Sequence, residues 1–158
     1  VTYMSFNPVS PIVGAAVSGF TSPTYTIASD IAPSINGKQF AVTATGGTQT
    51  GVDVNTVSKP FTVSFFRPVQ LRSLPAANPV TGVIKNIPSN TYKLITRKGV
   101  TPGVNQPSLP MVITTVIDVP AGADTYEPED IKAAVAAHFG VGYAQASGIA
   151  DTLLSGVM

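Results

Sequence analysis

Apolar and polar residues alternate with a period of two along most of the chain up to Pro120, and helical spacing appears only after it. The clearest alternating run is Pro60 to Arg67, in which Phe61, Val63 and Phe65 share one face and Thr62, Ser64 and Phe66 the other. By strict alternation Arg67 continues the phenylalanine set. Asn90 to Lys98 alternates as well, with Tyr92, Leu94, Thr96 and Lys98 on one face and Lys93, Ile95 and Arg97 on the other. Leu109 to Pro120 is a β-branched run long enough for a complete strand. Weaker strands are expected at Thr24 to Ala28, at Lys38 to Thr45 and, shorter, at Thr48 to Val54. Asn36-Gly37 and Gly46-Gly47 are expected to be turns.

Helical spacing begins after the Ala121 to Thr125 turn. Ile131, Ala134, Val135, His138 and Phe139 form one stripe of a helix over Glu127 to Phe139. Thr125 or Asp124 can cap it, Pro128 suits its first turn, and Gly140 is expected to stop it. A weaker second helix, Tyr143 to Leu154, carries Ile149, Leu153 and Leu154 on a narrow stripe. The strands follow one another through short links, which favours an antiparallel meander. Val69 to Pro88 holds Pro75, Pro79, Gly82 and Pro88 and reads as a long irregular segment. The expected organisation is one α+β domain over 1–158: an N-terminal arm or edge strand (1–23), a sheet region (24–119) and two C-terminal helices (125–158). Helices this short need an apolar surface to cover.

Composition adds one point. Charged residues make up only 11% of the 158, well under half of the usual share of about 25%. A surface so poor in charge fits one largely covered by copies of itself; a compact β domain with a Ser/Thr/Asn surface is the plainer account. The lack of cysteine excludes disulfides and thiolate metal sites. No apolar run is long enough for a membrane helix. The opening residues lack the basic start of a signal peptide, and a chain beginning at Val1 fits a processed N-terminus.

Charge is segregated. No acid occurs from Val54 to Ile117, yet seven of the nine cations lie there: Lys59, Arg67, Arg72, Lys85, Lys93, Arg97 and Lys98. Such a pattern can give a fold one basic face, or it can simply solubilise loops. Lys93 and Arg97 on one strand face, among Ser, Thr and Asn, suit RNA: the cations meet phosphates and the short polar groups meet bases or 2′-hydroxyls. Signs of an enzyme are weak. His138 shares its helix face with Ile131 and Val135 and reads as a core or interface residue. No nucleophile, phosphate-loop or zinc-protease motif occurs. The acids Asp124, Glu127, Glu129 and Asp130 could hold a hard cation, but stabilisation of a helix N-terminus explains them more simply. No metal or cofactor is expected.

The order of parts resembles the coat proteins of levivirus-type single-stranded RNA bacteriophages. The resemblance is carried by Asn-Gly-Lys-Gln-Phe-Ala-Val-Thr (Asn36 to Thr43), Thr-Gly-Gly-Thr-Gln-Thr-Gly-Val (Thr45 to Val52), Phe-Thr-Val-Ser-Phe-Phe-Arg-Pro (Phe61 to Pro68) and Asn-Thr-Tyr-Lys-Leu-Ile-Thr-Arg-Lys-Gly (Asn90 to Gly99). The last strand then runs into Pro-Ala-Gly-Ala-Asp-Thr and two helices. It covers roughly Tyr25 to Met158. It implies an N-terminal hairpin, an antiparallel sheet and two helices lying over a partner's sheet in an intertwined dimer. It also implies a non-enzymatic icosahedral shell that packages genomic RNA, and repression of replicase translation through an RNA hairpin. The implied partners are further copies of the chain, single-stranded viral RNA and a maturation protein, with no membrane; the implied location is the virion, after synthesis in the bacterial host cytoplasm. RNA contacts map onto Lys93, Arg97 and Thr114, with Arg67 and Lys85 as further cations. The dimer interface maps onto Ile131, Val135, His138, Ile149 and Leu153. Matching Arg67 to an RNA-facing position would also turn Phe61, Val63 and Phe65 toward RNA, where alternation buries them; a bulge near Phe65-Phe66 would reconcile the two. A β-rich adhesion or appendage subunit without RNA is the alternative.

Overall fold

The computed structural model describes residues 5–158. Six strands form one antiparallel sheet in strict chain order: β1 (Ile12–Val13), β2 (Thr21–Asp30), β3 (Gly37–Thr48), β4 (Phe61–Phe66), β5 (Ser89–Val100) and β6 (Leu109–Pro120). Three helices follow: α1 (Ala123–Tyr126), α2 (Pro128–Ala144) and α3 (Ala146–Ser155). The expected α+β meander is observed, and β6 has the bounds that its β-branched run predicts.

Cross-strand register sorts the residues onto two faces, because directly paired residues point the same way. On one face, Phe40, Val63, Thr96 and Ile113 form a row across four strands, and Lys38, Phe65, Leu94 and Thr115 form the next. Phe6 of the N-terminal arm packs here, stacked on Phe65 at 4.9 Å and edge-on to Phe40 at 6.2 Å. Ile131 and Val135 of α2 line a cleft on the same face with Phe65, Tyr92, Ile117 and Val119. This is the helix face. The opposite face carries the rows Gln39, Ser64, Ile95, Thr114 and Ala41, Thr62, Arg97, Val112.

The core is thin. Among the described residues, the buried hydrophobic ones are Ala41, Val42 and Ala121. Met111, Ile113, Phe139, Tyr143, Leu153 and Leu154 remain exposed. β6 is also an open edge, with both faces of its first half uncovered. A long apolar edge strand of this kind needs a partner.

Several local expectations are corrected. Gly46-Gly47 does not end its strand; β3 continues to Thr48. Gly47 takes φ 74° opposite Ser22 at φ 48°, and a register shift between Thr21 and Thr24 absorbs the irregularity as a bulge. No separate strand forms over Thr48 to Val54; Thr48 ends β3 and Gln49 to Val54 are outside any strand. Instead the Gln49 side chain donates back to the carbonyls of Gly46 (2.7 Å) and Thr24 (3.2 Å), closing the end of β3. The Ala121 to Thr125 turn contains α1, and Thr125 donates its hydroxyl to the Gly122 carbonyl at 3.0 Å rather than capping the next helix. Gly140 does not stop α2, which runs through it and through Gly142 to Ala144. Alanine-rich sequence before these glycines, and no proline after them, outweighs a cost of about 1 kcal/mol for each. The second helix starts at Ala146, not Tyr143.

Candidate nucleic-acid interface

Lys93 and Arg97 are brought to one face of β5 by alternation and are kept there by unbroken pairing on both sides. Lys93 stands between Phe66 and Val116, Arg97 between Thr62 and Val112. Thr114 pairs with Ile95, the residue midway between the two cations. Four residues of strand separate Lys93 from Arg97, about 13 Å. Among the described residues the ion pairs are Lys59–Asp53 and Lys132–Glu129, so neither cation of this face is neutralised within the protomer.

Uncharged groups complete the face. Ser64, fully buried beneath its larger neighbours, donates its hydroxyl to Gln39 Oε1 at 2.9 Å, and Gln39 Nε2 donates to Asp30 Oδ2 at 2.8 Å. The Asp30 carboxyl is held below its usual value by the Gln39 hydrogen bond and then by the Ile31 amide. Thr91 donates to the Asp118 carboxylate across β5 and β6. Asp30 thus stands on β2, with β3 and β4 between it and the cations, and Asp118 lies at the end of the face where β5 begins. Alternation already puts Thr62 and Ser64 on one face of β4, but both are buried there, so they support the face from beneath; Gln39, which holds Ser64, carried no charge to signal it.

Two proposed cations do not join this face. β4 pairs without a register shift from Thr62 to Phe66 on the β3 side and from Phe61 to Phe66 on the β5 side, so the bulge near Phe65-Phe66 is absent. Phe61, Val63 and Phe65 thus stay on the helix face. Arg67 lies just beyond β4, its amide bonded to the Asn36 carbonyl at 3.0 Å. It lines a cleft with Phe6, Lys38, Phe65 and Tyr92, away from Lys93 and Arg97. Lys85 is exposed in the segment between β4 and β5, off the sheet.

The residues assigned to a dimer contact divide. Ile131 and Val135 turn toward the chain's own β4, β5 and β6, and His138 with Phe139 lies over Thr115 to Asp118. Ile149 and Leu153 on α3 remain exposed. Polar contacts tie α3 to the chain's own N-terminal region: the Ser18 amide donates to Ser147 Oγ at 3.1 Å and the Ser18 hydroxyl to Asp151 Oδ2 at 3.4 Å. No group of metal-ligating side chains is found among the described residues, and no helix is long and apolar enough to cross a membrane.

No protein-family model and no curated protein matches the chain. Among solved structures it is similar to the virus-like particle of bacteriophage ESE020, with 52% identity and a TM-score of 0.95 over 98% of this chain and 100% of that one. Identity at this level over essentially both full lengths, on the same sheet and helices, makes this chain a member of the bacteriophage coat-protein family.

Proposed function

We propose that this coat protein dimerises, assembles into a closed icosahedral shell and lines the shell's interior with the face that carries Lys93 and Arg97. The observation that supports RNA as the cargo is the pair of cations, free of ion pairs in the protomer, on the sheet face opposite the helices, beside the exposed Thr114. Single-stranded RNA fits such a surface: phosphates meet spaced cations, and bases and 2′-hydroxyls meet short polar side chains. In this reading the open β6 edge and the exposed residues of α3, Ile149 and Leu153, are covered by a second copy. Arg67 and Lys85 lie off this face and are left out of the proposed RNA surface. Repression of replicase translation through an RNA hairpin, a maturation protein as partner and synthesis in the host cytoplasm belong to the same proposal.

The test is to express the chain alone in bacteria, then examine the product by electron microscopy and by absorbance at 260 nm. Closed particles containing RNA are expected. A monomer free of RNA overturns the proposal, and closed particles empty of RNA remove its nucleic-acid part.

A further inference from the structure

The segment between β4 and β5 is long, yet it is held at several points. The Asn90 side chain brackets the backbone of Arg72, accepting from its amide at 2.8 Å and donating to its carbonyl at 3.1 Å. Leu74 lies against Gly122, where an added Cβ would come within 3.1 Å of it. Asn78 closes the tip: its amide bonds the Val83 carbonyl at 3.0 Å, its carbonyl accepts from Gly82 at 2.8 Å, and its side chain accepts from Val80 at 2.8 Å. Despite this built conformation, the tip turns apolar residues outward, with Val80 90% and Val83 61% exposed. The segment contains Arg67, Arg72 and Lys85 and no acid. Four of the eight acids of the chain, Asp124, Glu127, Glu129 and Asp130, cluster around the start of α2, beside the exposed Tyr126.

We propose that the tip around Val80 to Lys85 is a contact between neighbouring dimers, and that it docks on the acidic start of α2 in an adjacent copy of this chain. The inference rests on the shell-forming reading above. The dimer surface assigned there, β6 and α3, leaves this segment uncovered, and a closed shell requires contacts beyond the dimer. Charge complementarity selects the occupant: an acid-free tip carrying Lys85 meets a cluster of four acids of which Glu129 alone is paired, with Lys132 at 3.1 Å. Exposed valines beside the cation supply the apolar centre that such a contact needs.

Val80→Asp and Lys85→Glu test this without touching the core. Both variants are expected to give dimers that elute like the wild type but form few particles, or particles that dissociate at lower urea. Combining Lys85→Glu with Glu127→Lys and Asp130→Lys is expected to restore assembly. The RNA affinity of the dimer is expected to be unchanged in both single variants. Wild-type and variant particles dissociating at the same urea concentration overturn the inference alone. Loss of dimer RNA affinity in Lys85→Glu with particles intact also overturns it and assigns Lys85 to RNA. Failure of the wild type to form any particle overturns the shell reading and this contact with it.

Discussion

The Lys98 ammonium stands 5.1 Å from the centre of the Phe61 ring, its direct cross-strand partner, on the helix face of the sheet. Arg97 and Lys93, an odd number of positions before it on the same strand, point to the opposite face. Adjacent cations on one strand thus have different work. Lys98 is engaged by an aromatic face, an interaction of about 0.5–1 kcal/mol at partly exposed sites.

The first prediction separates them. Lys93→Ala with Arg97→Ala is expected to weaken RNA binding by the dimer and to flatten its salt dependence. Each dimer loses four cations, so the slope of log K against log salt should fall by up to about 2.8, or about 0.7 for each single-strand phosphate that is no longer neutralised. Lys98→Ala should leave that slope unchanged and lower only thermal stability. Equal slopes for the double variant and the wild type would move the RNA site off this face.

The contrast also explains what could be read from the chain beforehand. Alternation assigned Phe61 to Phe66 and Tyr92 to Lys98 to their observed faces, because period two leaves no freedom once pairing is unbroken. It also placed Lys93 and Arg97 together, whereas Thr114 was implied only by the resemblance and joins them through its pairing with Ile95. What it could not deliver was long-range closure. Gly47 reads as a turn residue, yet its left-handed φ serves a bulge because Ser22 lies opposite. Gly140 reads as a helix stop, yet nothing nearby rewards stopping there. For Arg67, alternation and the resemblance pointed to different faces, and the unbroken pairing of β4 follows alternation.

A second prediction concerns pH. Asp53 and Lys59 form a 2.7 Å ion pair that clips the loop between β3 and β4. The Asp53 carboxyl is held below its usual value by the Lys59 hydrogen bond, then by the Lys59 charge, and more weakly by Lys98. A lowered folded pKa means that the clip stabilises the protein above the unfolded value of about 3.9 and is lost as pH falls through the folded one. Asp53→Asn should therefore lower the urea midpoint slightly at pH 7, and the difference from wild type should vanish in acid. Because the pair is exposed, added salt should shrink the effect at neutral pH. A difference that persists at low pH would assign Asp53 another role.

Gly140 offers a third. In the protomer, a Cβ added there meets nothing within 4 Å. Gly140→Ala should stabilise α2 by about 0.5–1 kcal/mol, read as a higher unfolding temperature of the dimer. Weakened dimerisation instead would show that a partner's backbone passes close to this glycine.

The last prediction contrasts a core residue with a residue of the proposed two-fold contact. Val42 is 2% exposed and pairs with Ile27. Val42→Ala removes buried methyl groups and should cost about 2 kcal/mol of stability while leaving the association of surviving dimers intact. Leu153 is 70% exposed, so the protomer's own fold gives it nothing to lose. In a two-fold dimer, however, each substitution is felt twice. Burying one leucine stabilises by about 1.5–3 kcal/mol, so Leu153→Glu should raise the dimer dissociation constant by about 10² to 10⁴ even before the penalty for burying charge. Sedimentation velocity across a concentration series distinguishes the two outcomes. Val42→Ala should melt earlier and still sediment as the wild type does. Leu153→Glu should keep the wild-type strand signature in circular dichroism but sediment as a monomer and form no particles. A Leu153→Glu protein that still dimerises and assembles would place the two-fold contact away from α3.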